Sequence, residues 1–284
     1  MTSQEHVSAL LQDANYRVLQ RVPPVSAWNL QPATGEVVRA CIVDTETTGT
    51  GSDAEVVELA ILPFDYCRET GRVVAVHEGC SALRQPSKPI PAEATAVHGI
   101  TDEMVAGCSI SEEQVAAAVG GAKLLLAHHA KFDRAVAAKT WPLLDTIPWG
   151  CTWDDIDWRA GGYESGKLAY ILFRCGYFFD GHRAADDCLA TLFALTQPLG
   201  EHSALFALLQ RLREPFYKVT VRNTRYETKD LLKARRCQWN GADKSWWKMT
   251  ADVADEMRWF GDSKLDGTLY TEKLAAVERH RVAA

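Results

Sequence analysis

The sequence predicts a three-layer α/β fold followed by a small α+β domain, and three observations carry that expectation. Apolar, β-branched runs alternate with segments of helical periodicity as far as about residue 200. The first three strand-like runs lie so close together that they read as an antiparallel meander, while the later ones are separated by helices, which makes a mixed sheet. Beyond Pro215 the composition changes to aromatic residues interleaved with lysine and arginine. At 284 residues, length allows one or two domains. The expected divisions are residues 1–35, an N-terminal helical segment, residues 36–200, the core domain, and residues 201–284, a helix and a small basic, tryptophan-rich domain.

Taken in order, Val7, Leu10, Leu11, Ala14 and Val18 fall at helical spacing and predict a helix over 7–19, closed before Pro23-Pro24. Residues 37–46, 56–64 and 72–80 form the meander, and the prolines between 86 and 91 mark a loop. Short helices are expected around Thr101 and Ser111. A strand at 123–128, a helix at 131–141, a short strand at 149–152 and helices at 167–175 and 184–196 complete the core. A helix at 202–213 leads to Pro215. After it, 217–222 alternates like a strand, 229–236 reads as a basic helix, and Asn240-Gly241 and Asp243 signal turns.

Three short segments carry the chemistry. Asp44-Thr45-Glu46 ends the first strand run, and residues i and i+2 on a strand share a face, so both carboxylates project together. The plain alternative is a solvated acidic turn. Asp133 sits in the first turn of its helix, where the dipole favours a carboxylate whether or not it has a further role. His182 follows Gly181 in a loop, and Asp186 and Asp187 open the next helix; the residues alone leave either aspartate as the candidate. Four carboxylates and one proton acceptor are what a two-metal phosphodiesterase needs. Two hard divalent cations about 3.5–4 Å apart want oxygen ligands. An imidazole can take the proton of an attacking water near neutral pH.

These segments resemble the DEDDh class of 3′→5′ exonucleases, the DnaQ-like family, to which proofreading subunits of replicative polymerases, ribonuclease T and oligoribonuclease belong. The family motif Asp-x-Glu-Thr-Thr-Gly matches Asp44 to Gly49. His-Asn-Ala-x-Phe-Asp matches His128 to Asp133, with His129 where the family has Asn. His followed five residues later by Asp matches His182 and Asp187, and Val97-His98-Gly99-Ile100-Thr101 is similar to a loop of proofreading-type members. The resemblance covers about residues 36–198 and implies a ribonuclease H-like fold for residues 36–200. It implies that Asp44, Glu46, Asp133 and Asp187 hold two divalent ions, Mg²⁺ or Mn²⁺, and that His182 is the general base. It implies that Thr47, Thr48, Gly49, His98 and His129 meet substrate, and that Phe132 packs beneath the site. Thr50 stands where the family usually carries a large apolar residue against the terminal base.

The implied activity is metal-dependent release of nucleotides from the 3′ end of single-stranded DNA. Short RNA is the alternative substrate, and a polymerase-associated binding module with weak activity is the alternative role. A DNA polymerase is the protein partner the resemblance suggests.

Composition sets the outer limits. No apolar run approaches bilayer-spanning length, and the first residues lack the charge and apolar stretch of a signal peptide, so the expectation is a cytoplasmic protein without a membrane partner. Eight cysteines without a C-x-x-C pair argue against a zinc site or a disulfide framework. Net charge is −6, but unevenly spread: residues 1–216 hold 17 Lys/Arg against 27 Asp/Glu, while residues 217–249 hold nine against three. That second stretch contains Tyr217, Tyr226, Trp239, Trp246 and Trp247 among its cations. Most of its tryptophans are expected to build a small core. Its basic face is a candidate footprint for nucleic acid.

Overall fold

In the computed structural model, which describes residues 2–281, Val37–Thr47 (β1) pairs antiparallel with Val56–Cys67 (β2) along nearly its whole length. Val73–Val76 (β3) and Cys80–Leu83 (β4) both pair antiparallel with β2, while Leu124–Ala127 (β5) and Trp149–Cys151 (β6) continue the sheet in parallel from the other edge of β1. The sheet order is β3-β2-β1-β5-β6, with β4 beside β3's partner, so it is mixed as expected. The helices around it are Ser3–Leu11 (α1), Ala92–His98 (α2), Glu112–Ala118 (α3), Ala130–Thr140 (α4), Leu168–Cys175 (α5), Ala184–Thr196 (α6) and Ala204–Arg213 (α7).

Period-two alternation gives β1 two apolar faces. Cys41 and Val43 join Leu59 and Ile61 of β2 in a core closed by Val115 of α3 and by Val136 and Ala137 of α4. Ile42 and Ala60 face the other way, where the Cys188 thiol of α6 lies 3.7 Å from each of their carbonyls. Helices therefore cover both faces of the sheet, the three-layer architecture of a ribonuclease H-like fold. Buried side chains such as Phe64, Ile42 and Leu125 each contribute about 1.5–3 kcal/mol.

The chain divides into two compact units: one runs through Arg211 and takes in His280 and Arg281, and the other is Leu212–Arg279. The second unit is a four-stranded antiparallel sheet of Tyr217–Arg222 (β7), Gln238–Asn240 (β8), Ser245–Thr250 (β9) and Thr268–Lys273 (β10), in the order β8-β9-β7-β10. Two helices, Lys229–Ala234 (α8) and Val253–Asp262 (α9), supply Leu232, Trp259 and Phe260 to a core built on Val221, Cys237, Trp246 and Leu265.

Local expectations differ from the fold at four places. The N-terminal helix spans Ser3–Leu11 rather than 7–19: Thr2 and Glu5 form a capping box at its start, and the Asp13 carboxylate accepts the Asn15 N–H at 2.9 Å in a turn just beyond its end. The run 72–80 is two strands, Val73–Val76 and the one that starts at Cys80, separated by a link in which Gly79 passes so close to β2 that a Cβ there would lie 3.0 Å from the Ile61 carbonyl. Residues 86–91 form the expected loop, but helix α2, directly after Pro91, is an element the sequence does not signal. Of the tryptophans, Trp246 and Trp259 pack as expected, but Trp239 is 52% exposed.

Candidate active site at the end of the first strand

Asp44 and Glu46 leave the end of β1 on the face covered by α6, and Asp187 lies in the first turn of that helix. One oxygen from each of these three carboxylates lies within 4.8 Å of the others. Thr45, between the two β1 acids, points to the opposite face, and its hydroxyl donates to Asp133 Oδ1 of α4 at 2.9 Å. The strand end thus joins acids from both helical layers. Asp186, the competing candidate, is exposed.

Asp187 Oδ2 accepts the backbone N–H of His182 at 2.8 Å and of Arg183 at 3.2 Å. His182 is exposed and holds a left-handed backbone with φ of 69°, a conformation histidine adopts more readily than most residues. The bond to Asp187 fixes that turn and keeps the histidine at the rim of the cluster.

Burial, then repulsion from Asp133, Asp187 and Glu46, lifts the Asp44 carboxyl well above its usual range. Glu46 is pushed up to about 8 by burial and by Asp187 and Glu58. Asp133 is pushed up to about 7, chiefly by burial, against the opposing bonds from Thr45. Asp187 is raised by burial against the two backbone N–H groups that hold it.

A family description, the RNase T-type exonucleases, matches residues 41–195. The chain belongs to this exonuclease family. An uncharacterized exonuclease of Escherichia phage 186 is 51% identical over 63 residues, 22% of this chain and 27% of the phage protein. A DNA polymerase III subunit epsilon-like protein of Rhodobacter capsulatus is 43% identical over 176 residues, 56% of this chain and 23% of that protein. The chain spans about a quarter of the length of these curated relatives. Among solved structures, exonuclease X in complex with 5′-overhanging duplex DNA aligns with a TM-score of 0.43 at 27% identity, over 61% of this chain and 92% of that one. The nuclease domain of 3′hExo, a DEDDh family member bound to rAMP, aligns with a TM-score of 0.42 at 17% identity, over 57% of this chain and 92% of that one.

The exonuclease family depends on divalent metal, and the residues present fit such an ion. Hard cations take carboxylate oxygens, which are the donors that converge here. The same crowding that drives these acids toward their protonated forms is relieved by a positive charge placed among them.

Two residues that the sequence does not flag complete the setting. Glu58 lies directly across from Glu46 in the β1–β2 register and is 2% exposed. Unlike its neighbours it is fully answered. Arg183 donates to both its oxygens at 3.2 and 3.1 Å, Ser81 donates at 2.9 Å, and the Ala184 N–H at 3.2 Å. Burial opposes its ionisation, but these bonds outweigh burial and hold it below the usual range. Arg183 follows His182 directly, so the Glu58–Arg183 pair anchors the histidine turn to the sheet.

His98 is buried with both ring nitrogens engaged. Its Nδ1 accepts the Ile100 N–H at 3.0 Å, and its Nε2 lies 3.2 Å from the Thr47 carbonyl, to which it donates in the matching tautomer. Gly99, at φ of 72°, turns the chain back to allow this. His98 thus braces the Thr47–Gly49 turn, where the Thr47 hydroxyl donates to the Gly49 carbonyl at 2.7 Å and Thr48 pairs with Glu55. His129 is exposed and lies 4.5 Å from Trp153, centroid to centroid and tilted 31°. Phe132 packs partly buried against the core. A cavity of about 970 Å³ lies elsewhere, lined by Trp28, Tyr177, Phe193 and Phe206 and by none of the clustered carboxylates.

Proposed function

We propose that the protein hydrolyses the terminal phosphodiester of single-stranded DNA, removing nucleotides one at a time from the 3′ end with two divalent cations, Mg²⁺ or Mn²⁺. One observation carries the reading: Asp44, Glu46 and Asp187 bring oxygens within 4.8 Å of one another at the end of β1, with Asp133 beside them and His182 tied to Asp187. Asp44, Glu46, Asp133 and Asp187 would hold the ions. When bound, the cations make the attacking water more acidic and neutralise charge developing on the phosphate.

The chain's own residues do the rest. His182 takes the proton of the attacking water, and its exposure lets it return that proton to solvent. Arg183 and Glu58 fix the turn that carries it. Thr47, Thr48 and Gly49, held by His98 and Glu55, receive the 3′-terminal nucleotide. With Thr50 too small to wedge against a base, the His129 ring resting on Trp153 supplies an aromatic face in its place. The similarity to a relative named for polymerase III epsilon supports DNA as the substrate and a polymerase as a partner.

The test uses 5′-labelled DNA and RNA strands of matched sequence with Mg²⁺, Mn²⁺ or chelator. A metal-dependent ladder shortening from the 3′ end, faster on DNA, is expected. Immediate release of the labelled 5′ nucleotide would overturn the polarity, and a faster RNA ladder would overturn the substrate.

A further inference from the structure

Strand register sorts the second unit's side chains onto two faces. Val221 pairs with Trp246 and with Leu269, and these residues make the core under α8 and α9. The opposite face has a row that crosses all four strands: Gln238, Trp247, Thr220 and Tyr270 stand side by side. Beside that row on β7 are Lys218 and Arg222, two residues either way from Thr220 and therefore on the same face.

This open face has no part in the core, yet it carries aromatic rings and cations in contact. Lys218 Nζ lies 5.5 Å from the Trp247 ring centroid, and the Arg222 guanidinium lies 5.7 Å from that of Tyr270. Tyr270 is 50% exposed. Trp247 and Tyr270 sit on strands flanking β7, roughly 9.5 Å apart at two strand spacings. The small Thr220 stands between them, and a groove of about 230 Å³ beside Tyr270 is lined by Lys218, Thr220, Arg222, Asp243 and Glu272.

We propose that this sheet face is a second nucleic-acid site, binding single-stranded nucleic acid by stacking bases on Trp247 and Tyr270. Every base has a ring face, so such a platform is tolerant of sequence. A four-stranded sheet with exposed aromatics is a geometry that suits splayed single strands. Charge favours the same occupant. Leu212–Arg279 holds fourteen Lys/Arg against eleven Asp/Glu, net +3, whereas the rest of the chain holds seventeen against twenty-six. Two acids stand at the rim: Asp243 accepts from Arg222 at 3.2 Å, and Glu272 pairs across from Lys218. They moderate the face's charge, so stacking rather than phosphate contact supplies most of the affinity, and the salt dependence is shallow.

The choice of a single strand as occupant rests on the exonuclease reading above; the face itself does not. The test keeps the two apart. In the full chain carrying Asp187→Ala, which spares the strand, fluorescence anisotropy measures binding of labelled (dT)20. Trp247→Ala with Tyr270→Ala is expected to weaken it about tenfold or more, and Lys218→Glu, which removes neither ring, about threefold. Trp247→Phe with Tyr270→Phe keeps the ring faces and most of the affinity. In the otherwise wild-type chain, the same substitutions leave turnover of a trinucleotide unchanged. Unaltered (dT)20 affinity in both the double alanine and the Lys218→Glu variants would overturn the sheet-face site. Absence of trinucleotide turnover in the wild-type chain would instead overturn the exonuclease reading.

Discussion

The two units treat a buried acid in opposite ways. In the second, Glu256 is 5% exposed and surrounded by cations, with Lys248 Nζ at 2.6 Å and Arg235 Nε at 3.1 Å. In the first, Asp44, Glu46, Asp133 and Asp187 crowd together, and their pKa values rise because burial and like charge outweigh the bonds from Thr45, His182 and Arg183. A buried carboxylate ringed by cations belongs to the architecture. A half-buried cluster dominated by like charge is stabilised in its ionised form by positive charge that arrives from outside. Glu58 sharpens the contrast, because it touches the cluster's edge yet is answered by Arg183 and so resembles Glu256 more than Glu46.

The comparison can be broken most decisively at the unanswered acids. Asp44→Ala or Asp187→Ala should lower turnover by a factor of about a thousand or more, a loss of general order for removing a group that stabilises transition-state charge. Because crowding is relieved, the same variants should keep or gain thermal stability without metal. A calorimetric scan in chelator checks this, and marked destabilisation would mean that these acids are structural.

A smaller effect is expected at the answered acid nearby. Arg183→Ala should cost about 10–100-fold in turnover, as loss of an orienting outer partner usually does, while leaving ion binding largely intact. Turnover equal to wild type would show that the His182 turn needs no anchor.

Next comes a buried hydrogen bond inside the first unit. His280 Nε2 meets Asp155 Oδ2 at 2.6 Å with both side chains buried, and Asp155 also accepts the Cys151 N–H at 2.9 Å beside β6. His280→Ala should destabilise the first unit by about 3 kcal/mol in chemical denaturation, because it leaves a buried carboxylate short of a partner. The pair also means that a truncation removing everything after residue 215 would damage the first unit as well as delete the second.

The smallest effect is at Glu256. Glu256→Gln should cost about 2 kcal/mol in the unfolding of the second unit, since Lys248 and Arg235 lose a charged acceptor, and should leave trinucleotide turnover untouched. A fall in turnover there would show that the two units are not energetically separate.

Much of the first unit is legible from sequence because its signals are local. Alternation marks β1 and the i, i+2 spacing aligns Asp44 with Glu46, whereas the choice of Asp187 over Asp186 comes from the family resemblance rather than from any local signal. The pieces that escape depend on register or on distant partners. Glu58 meets the site only because β2 pairs with β1 in one alignment, and Arg183 matters only because Glu58 is there. The bonds of His98 to Ile100 and to the Thr47 carbonyl depend on the Gly99 turn and on β1, and no local pattern reports them. In the second unit, the tryptophans are alike in sequence, and pairing alone sends Trp246 into the core and Trp247 to the open face. His280 reaches Asp155 across 125 residues, a separation that no pattern reports.

Calorimetric titration of Mn²⁺ into the wild type, Asp44→Ala and His182→Ala, with turnover measured on the same preparations, separates ion holding by the carboxylates from proton transfer by the histidine. That division of roles predicts ion binding in the wild type, its loss in Asp44→Ala, and its retention in His182→Ala with turnover down by about 10²–10⁴. Equal Mn²⁺ affinity in all three, with full turnover in His182→Ala, would contradict it.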